Sequence, residues 1–183
     1  MADTDRFVVL LRGINVGGHN KVLMAELRSA LANAGFENVS TYIQSGNVLL
    51  DGAGRTEGDV VKAVEGVMED QFDLSIPVVA RAAEEWTGIL AANPFPEAES
   101  DPKLLHVSLC DTAPTADAVD AFDAESYHPD RLAVVGRHLY LWYPNGSGRS
   151  KLTGAVLERK LELTTTARSW STMLRLAEII VGD

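Results

Sequence analysis

The sequence RGINVGGHNK at residues 12–21 joins an unbroken apolar run, residues 7–11, to a helical pattern that begins near Met24. The apolar run is typical of a strand that is buried on both faces. The adjacent glycines predict a turn, and apolar residues then recur at helical spacing until Gly35, a residue that favours a helix end. The stretch therefore predicts a strand, a glycine-rich loop and a helix in succession.

The residues that follow complete a small sheet. Residues 39–44 alternate with a period of two and predict a second strand, and residues 48–50 predict a third. A helical pattern at residues 60–68 precedes a fourth strand at residues 76–80, which Pro77 places at a sheet edge. The order βαββαβ is that of the ferredoxin-like fold, so we expect one antiparallel four-stranded sheet.

The rest of the chain repeats this order incompletely. After a short helix at residues 83–90 and a proline-bearing linker at residues 93–102, the pattern predicts βαββα, with a closing C-terminal helix in place of a clear last strand. We therefore predict an α+β fold of two tandem ferredoxin-like (βαββαβ) halves with antiparallel sheets, residues 1–92 and 93–183, in one compact unit. No residue-by-residue repeat is evident, so the duplication is inferred from element order alone.

The charge of the chain is unevenly distributed. Its 183 residues carry a net charge of −10, but residues 51–130 hold 18 of the 26 acidic residues and 4 of the 16 basic ones. An acidic protein repels nucleic acid at long range, whereas a local basic site can still bind a small anion.

Composition favours a cytoplasmic protein. Residues 1–6 lack the apolar core of a signal peptide and no apolar run approaches the length of a membrane span, so we expect no membrane partner. The single cysteine, Cys110, excludes a disulfide within the chain. We expect it to be a buried small hydrophobe rather than a catalytic thiol.

The loop at residues 12–21 matches known phosphate-binding motifs only in part. Gly13 and Gly18 have the spacing of a Walker A loop, but His19 stands where that motif requires lysine. The GxGxxG fingerprint of dinucleotide-binding folds is absent. Neither motif is therefore predicted here.

What remains in this loop is a generic anion-binding pattern. Gly17 and Gly18 allow backbone N–H groups to approach a ligand, and the following helix start favours negative charge. Arg12 and Lys21 supply formal positive charge. The alternative is a plain glycine turn whose two cations are solvated.

Residues 44–47, with the sequence Gln-Ser-Gly-Asn, join the second and third predicted strands. Gly and Asn are ordinary hairpin-turn residues. Gln44 and Ser45 add an amide and a hydroxyl that such a turn does not need and that can orient a ligand without adding charge. Both a plain turn and a ligand-orienting loop are left open.

Residues 145–151, with the sequence Asn-Gly-Ser-Gly-Arg-Ser-Lys, give the strongest indication of a binding site. Arg149 and Lys151 flank Ser150, which is expected to cap the helix that follows. Cations near a helix N-terminus cost roughly a few tenths of a kcal/mol, a cost that a bound anion would offset. The alternative is a solvated turn that tolerates the cost.

Residues 164–172, with the sequence Thr-Thr-Thr-Ala-Arg-Ser-Trp-Ser-Thr, are predicted to open the last helix, with Thr166 or Ser169 as its cap. Arg168 is again a cation near a helix N-terminus. Trp170 is expected in the core, the alternative being a stacking wall for a planar ligand.

We expect these four loops to converge on one site for a small anionic ligand, phosphate-like or nucleotide-like. The residues predicted to bind it are Arg12, Asn15, Gly17, Gly18, Lys21, Gln44, Ser45, Asn47, Arg149, Ser150, Lys151, Arg168, Trp170 and Thr172. No metal is predicted, because the four histidines lack paired ligand spacing, and no cofactor is predicted. No general base stands out beyond His19, so catalysis is not assigned.

Four stretches, residues 12–18, 41–47, 145–152 and 166–172, together resemble the bacterial domain-of-unknown-function family 1697. The Arg-Gly-Ile-Asn and Gln-Ser-Gly-Asn motifs are the most specific, and the resemblance covers essentially the whole chain. One departure is Ser169, where the family tends to show Asn. The resemblance implies an α+β fold with paired ferredoxin-like halves, and no established activity.

Two other classes of function remain as alternatives. Single-stranded nucleic-acid binding is suggested by an element order like that of RNA-recognition domains, but only Tyr140 and Trp142 resemble a base-stacking platform, and the net charge opposes it. A non-catalytic module that binds a protein partner or itself is compatible with the sequence, which does not predict the oligomeric state.

Overall fold

The computed structural model describes residues 6–182. The chain divides into two compact units, Met1–Trp86 and Thr87–Asp183, which we call the first half and the second half. Among the residues described, no helix is both long and apolar enough to cross a membrane.

The first half contains one antiparallel sheet with the strand order β2-β3-β1-β4. Its elements are β1 (Arg6–Leu11), α1 (Met24–Asn33), β2 (Glu37–Tyr42), β3 (Asn47–Asp51), α2 (Glu57–Phe72) and β4 (Val78–Ala82). The predicted four-stranded antiparallel sheet is confirmed. β4 is an edge strand and begins immediately after Pro77, as the missing N–H of proline requires.

The central strand β1 explains why this sheet is stable. Residues 8–11 are fully buried, so the apolar run covers both faces of the strand as predicted. One face packs on buried side chains of the two helices, among them Leu27 of α1 and Val64 of α2. The helix α2 begins with a capping box between Thr56 and Asp59, which satisfies N–H groups at its start.

The second half contains an antiparallel sheet with the corresponding order β6-β7-β5-β8. The remaining elements of the chain are α3 (Glu85–Ala91), β5 (Leu105–Cys110), α4 (Ala116–Asp120), β6 (Arg131–Val135), β7 (His138–Trp142), α5 (Gly154–Leu161), β8 (Thr165–Ser169) and α6 (Trp170–Gly182). Short 3-10 turns occur at Pro96–Ser100, Glu125–Tyr127 and Ser147–Arg149. Cys110 is buried in this sheet, as expected.

The strand β8 corrects the sequence prediction for the end of the chain. Residues 165–169 pair with β5 from Thr165 opposite Cys110 to Ser169 opposite His106, whereas the sequence predicted a helix start here. The run of β-branched threonines favours a strand, and this preference was misinterpreted as a helix cap. With β8 in place, the second half has the full order βαββαβ followed by α6, and the predicted fold class is confirmed.

The duplication is also visible in the strand register. Val8 of β1 lies opposite Arg81 of β4, and Val107 of β5 lies opposite Arg168 of β8. Both arginines are buried, and each donates from Nη1 to the carbonyl oxygen of the alanine before it, at 2.6 Å for Arg81 and 2.8 Å for Arg168. The two halves therefore have a buried arginine at equivalent positions of their equivalent strands, β4 and β8.

Candidate functional site

The two predicted loops of the first half contact each other. β1 and β2 both run antiparallel to β3, so the β1–α1 connection and the β2–β3 hairpin lie at the same end of the sheet. Asn15 Nδ2 donates to the carbonyl oxygens of Gln44 (2.8 Å) and Val22 (2.9 Å), and its Oδ1 accepts from the N–H of Val22 (2.9 Å). One amide hydrogen of Asn15 thus joins the two loops, and the other closes the β1–α1 connection on itself.

The Gln-Ser-Gly-Asn hairpin is fixed by packing as well as by hydrogen bonds. Asn47 is fully buried and donates from Nδ2 to the carbonyl oxygen of Tyr42 and to Ser45 Oγ, both at 3.0 Å. Gly46 has a φ of +78°, and a Cβ there would lie 2.9 Å from the Cβ of Leu11. The glycine and asparagine of this motif therefore have a structural function.

The remaining predicted residues of the first half differ in exposure. Lys21 and Gln44 are exposed, whereas Arg12 is half-buried. Gly17 and Gly18 are exposed and have left-handed φ angles of +58° and +81°, as a tight turn requires. Their backbone N–H groups thus belong to an open loop.

A cavity of about 620 Å³ lies in the second half, at the end of the sheet where β7 finishes. The antiparallel pairing of β6 and β7 places Arg131 opposite Trp142, so the segment before β6 and the segment after β7 run side by side. The cavity is lined by Ser126, Tyr127, His128, Pro129, Asp130, Asn145, Gly146, Arg149, Ser150 and Lys151. We call it the β7-end pocket.

Ser150 is the best-connected side chain of the β7-end pocket. Its Oγ donates to Asp130 Oδ2 at 2.6 Å and accepts from the N–H of Leu152 at 2.8 Å. The hydroxyl of Tyr143 donates to the carbonyl oxygen of Leu152 at 3.0 Å. These bonds join the two walls of the pocket and fix the carboxylate of Asp130.

The predicted helix cap at Ser150 is wrong. The helix α5 begins at Gly154, and Thr153 caps it by accepting from the N–H of Val156 at 3.4 Å. Serine and threonine are both favoured N-cap residues, so the sequence alone did not distinguish Ser150 from Thr153. Arg149 and Lys151 therefore lie before the helix, and the expected cost of cations in its first turn does not arise.

Positive side chains outnumber negative ones around the β7-end pocket. Arg149 and Lys151 are exposed at its rim, and Asp130 is the single carboxylate among the lining residues. Burial, and then the charge of Asp130, raise the pKa of Tyr143 to about 12, so its phenol stays neutral. The lining thus offers two exposed cations, one hydrogen-bonded carboxylate and several neutral hydrogen-bonding groups.

Arg168 lies in the middle of β8 and is not among the pocket-lining residues. It is 9% exposed, and its Nη1 donates to Thr166 Oγ1 at 2.9 Å. Burial lowers the pKa of Arg168 to about 10. In the sheet, β5 lies between β8, which carries Arg168, and β7.

Trp170 and Thr172 belong to the start of α6. Trp170 is 2% exposed, which confirms the expectation that it is a core residue; among residues 6–182, its Nε1 has no hydrogen-bond partner. Ser169 Oγ accepts from the N–H of Thr172 at 3.4 Å. Of the two predicted caps, Ser169 is therefore the correct one.

The base-stacking platform considered for the second half is absent at Tyr140. This residue is fully buried, and its hydroxyl donates to the carbonyl oxygen of Ile89 at 2.6 Å. Trp142 is half-buried, with the guanidinium of Arg131 5.4 Å from its ring centre. These two aromatics therefore do not form an exposed pair on which bases could stack.

One wall of the β7-end pocket, residues 126–130, was missed from the sequence. The predicted β6–β7 hairpin could have indicated this wall, because a hairpin places the residues before Arg131 beside those after Trp142. Among the residues that the structure describes, no group of three or more His, Cys, Asp or Glu side chains is arranged to hold a metal ion.

Comparison with known proteins finds a matching family and a similar solved structure. A family model described as a protein of unknown function (DUF1697) matches residues 4–140. The solved structure of the conserved bacterial protein SP0830 from Streptococcus pneumoniae is similar, with 24% sequence identity and a TM-score of 0.74, over 96% of this chain and 98% of that one. At this identity the likeness concerns the fold alone. No curated protein matches the chain.

Proposed function

Because the chain belongs to the DUF1697 family of proteins of unknown function, we propose a function from geometry: the β7-end pocket binds a small anionic molecule, phosphate-like or nucleotide-like. The observation that carries this proposal is the placement of Arg149 and Lys151 around Ser150 at the rim of one cavity. A volume of about 620 Å³ lies in the range of small-molecule sites.

The residue types at the rim suit a phosphate group. The guanidinium of Arg149 can donate two parallel hydrogen bonds to phosphate oxygens, and Lys151 adds a point charge. Residues 145–151 contain no acidic residue, so this wall is uniformly positive. The anionic part of the ligand is therefore expected against the 145–151 wall.

Asp130 on the opposite wall selects for a second chemical feature. Its carboxylate already accepts from Ser150 Oγ, and its remaining lone pairs can accept from ligand hydroxyl or amino groups. A free polyanion gains nothing from this wall and is repelled by it. A phosphate ester of a sugar or nucleoside satisfies both walls, with its phosphate near Arg149 and its hydroxyl groups near Asp130.

Binding rather than catalysis is the function that these contacts support. The hydroxyl proton of Ser150 goes directly to Asp130, and its oxygen accepts from the N–H of Leu152. A nucleophilic serine instead passes its proton to a base that is oriented by a third group.

Calorimetric titration tests the proposal with three probes: inorganic phosphate, ribose 5-phosphate and adenosine monophosphate. We expect both esters to bind more tightly than inorganic phosphate, and Arg149→Ala and Lys151→Ala each to weaken them about tenfold. The matched control is Arg159→Ala, an exposed cation of α5 outside the pocket lining, which should change binding less than about twofold. Equal losses in all three variants, or no binding at millimolar concentrations, would refute the proposal.

A further inference from the structure

Three exposed aliphatic residues surround the junction of the two loops in the first half. Val16 is 60% exposed, Leu23 63% and Ile43 50%. Each is the direct chain neighbour of one residue that the Asn15 amide joins: Asn15 itself, Val22 and Gln44 respectively. The hydrogen bonds of Asn15 therefore bring together three chain positions, each of which is next to an exposed aliphatic residue. We call Val16, Leu23 and Ile43 the aliphatic triplet.

The backbone that carries the aliphatic triplet is held by side-chain hydrogen bonds and is partly strained. Ile43 has a φ of +50°, a conformation that a β-branched residue rarely adopts, and Asn15 has a φ of +54°. Asn20 Nδ2 donates to the carbonyl oxygen of Gly13 at 3.0 Å and closes the β1–α1 connection on itself. A preformed surface loses little conformational entropy when a partner binds.

The charge of this surface is mainly positive. Residues 12–23 and 41–47 contain Arg12 and Lys21 but no Asp or Glu, in a chain whose net charge is −10. Arg28 of α1 adds a third cation, since its Nη1 donates to Thr41 Oγ1 at 2.7 Å, and the exposed Glu26 in the first turn of α1 adds one carboxylate. The surface is complementary to a partner that combines apolar side chains with negative charge.

This combination distinguishes among classes of partner. Nucleic acid offers aromatic bases and phosphates, whereas the aliphatic triplet has no aromatic ring for stacking. An anionic membrane surface is extended and therefore meets the whole chain, whose net charge of −10 repels it, whereas a short acidic segment meets only the local cations. A protein segment supplies aliphatic or aromatic anchors and carboxylates at fixed spacing, which matches the triplet and its flanking cations.

We propose that the surface formed by residues 12–23 and 41–47 docks a partner protein through an acidic segment with apolar anchors. The anchors cover the aliphatic triplet, and the flanking carboxylates face Lys21 and Arg28. This surface shares no residue with the β7-end pocket, so the two proposals stand or fall independently.

Selection from a random 16-residue peptide library displayed on phage tests this proposal with the full chain as bait. The counter-selection uses the triple variant Val16→Ser, Leu23→Ser and Ile43→Asn. These changes are chosen to preserve folding: serine is favoured at the N-cap of α1, where Leu23 lies, and asparagine tolerates the left-handed backbone at Ile43. Thermal unfolding of the variant checks this.

The expected result is enrichment of peptides that place two or more Asp or Glu residues beside apolar residues. A selected peptide, made synthetically, should bind the triple variant about tenfold more weakly and Lys21→Glu about threefold more weakly than the native chain. The control is Val135→Ser, an exposed aliphatic residue of the β6–β7 hairpin, which should change affinity less than about twofold.

Four outcomes would overturn the proposal. They are the absence of enriched peptides, enrichment without an acidic bias, and equal binding of selected peptides to the native chain and the folded triple variant. The fourth is a different occupant: a native dimer that the triple variant dissociates in sedimentation, or binding to phosphatidylserine vesicles that the variant loses.

Discussion

The two halves have the same sheet topology, but their long strand-to-helix connections occur at different positions. In the first half, twelve residues (12–23) join β1 to α1, whereas five (111–115) join β5 to α4 in the second. The opposite holds after the next central strand, where five residues (52–56) join β3 to α2 and eleven (143–153) join β7 to α5. A duplicated frame has therefore been elaborated at different ends in its two copies.

The two long connections also differ in how they are held. The one in the first half is braced by the side chain of Asn15 and presents exposed aliphatic residues. The one in the second half leaves Arg149 and Lys151 exposed beside a cavity. The difference teaches that a shared fold does not imply a shared function, since function lies in the connections rather than in the sheet.

The largest expected effect is a difference in stability loss between the β2–β3 and β6–β7 hairpins. Gly46→Ala should reduce the free energy of unfolding by about 3 kcal/mol, because the new Cβ combines left-handed strain with a clash against Leu11 and Ile14. Its counterpart in the β6–β7 hairpin, Gly136, has a φ of +58° but open space around a Cβ. Gly136→Ala should therefore cost about 1 kcal/mol. Urea denaturation measures both, and equal losses would contradict the packing argument.

The next-largest effect tests the hydrogen bonds of the Asn15 side chain. Asn15→Ala removes three side-chain hydrogen bonds, one to the β2–β3 hairpin and two within the β1–α1 connection, and should cost about 2 kcal/mol in urea denaturation. Asn145→Ala, at an exposed position of the long connection in the second half, is the control and should cost less than about 0.5 kcal/mol. If Asn145→Ala were the more costly change, the contrast between the two connections would be lost.

A smaller effect concerns the walls of the β7-end pocket. Ser150→Ala removes the bonds to Asp130 and to the N–H of Leu152, and we expect it to lower stability by about 1 kcal/mol. The exposed Ser147 in the same loop serves as a control, with an expected loss below about 0.5 kcal/mol for Ser147→Ala. Indistinguishable thermal unfolding of the two variants would show that Ser150 does not hold the walls together.

The smallest effect is a difference in pH dependence. Burial lowers the pKa of His106 below its ordinary value of 6.5, and the equivalent position in the first half is Phe7. The unfolded chain therefore binds a proton near pH 6.5 that the folded chain binds only at lower pH, so stability falls as pH falls through 6.5. His106→Phe should lose less stability than the native chain between pH 7 and pH 5. Parallel pH profiles for the two proteins would contradict this assignment.

Periodicity in the sequence was sufficient to predict most of the fold. The central apolar run at residues 7–11 and the alternating strands dictate the sheet of the first half, because burial on both faces leaves few other solutions. The last strand, Thr165–Ser169, was missed because threonine serves both as a strand former and as a helix cap. Its identity is decided by pairing with β5, which local sequence does not reveal.

The candidate site was harder to predict from the sequence. Arg149, Ser150 and Lys151 were identified because their residue types are unusual together, but Asp130 joins them only through the pairing of β6 and β7. Asn47 is among the residues predicted to orient a ligand, and its burial and hydrogen bonds support the hairpin. Polar residues in turns thus need long-range contacts before a binding function can be separated from a structural one.

Nuclear magnetic resonance titration of the 15N-labelled native chain with ribose 5-phosphate tests the central claim most directly. The account predicts that the amide shifts that saturate with the ligand concentrate in residues 126–130 and 145–151, the two walls of the β7-end pocket. Saturating shifts that concentrate instead in residues 12–23, or no saturating shift in the second half, would contradict it.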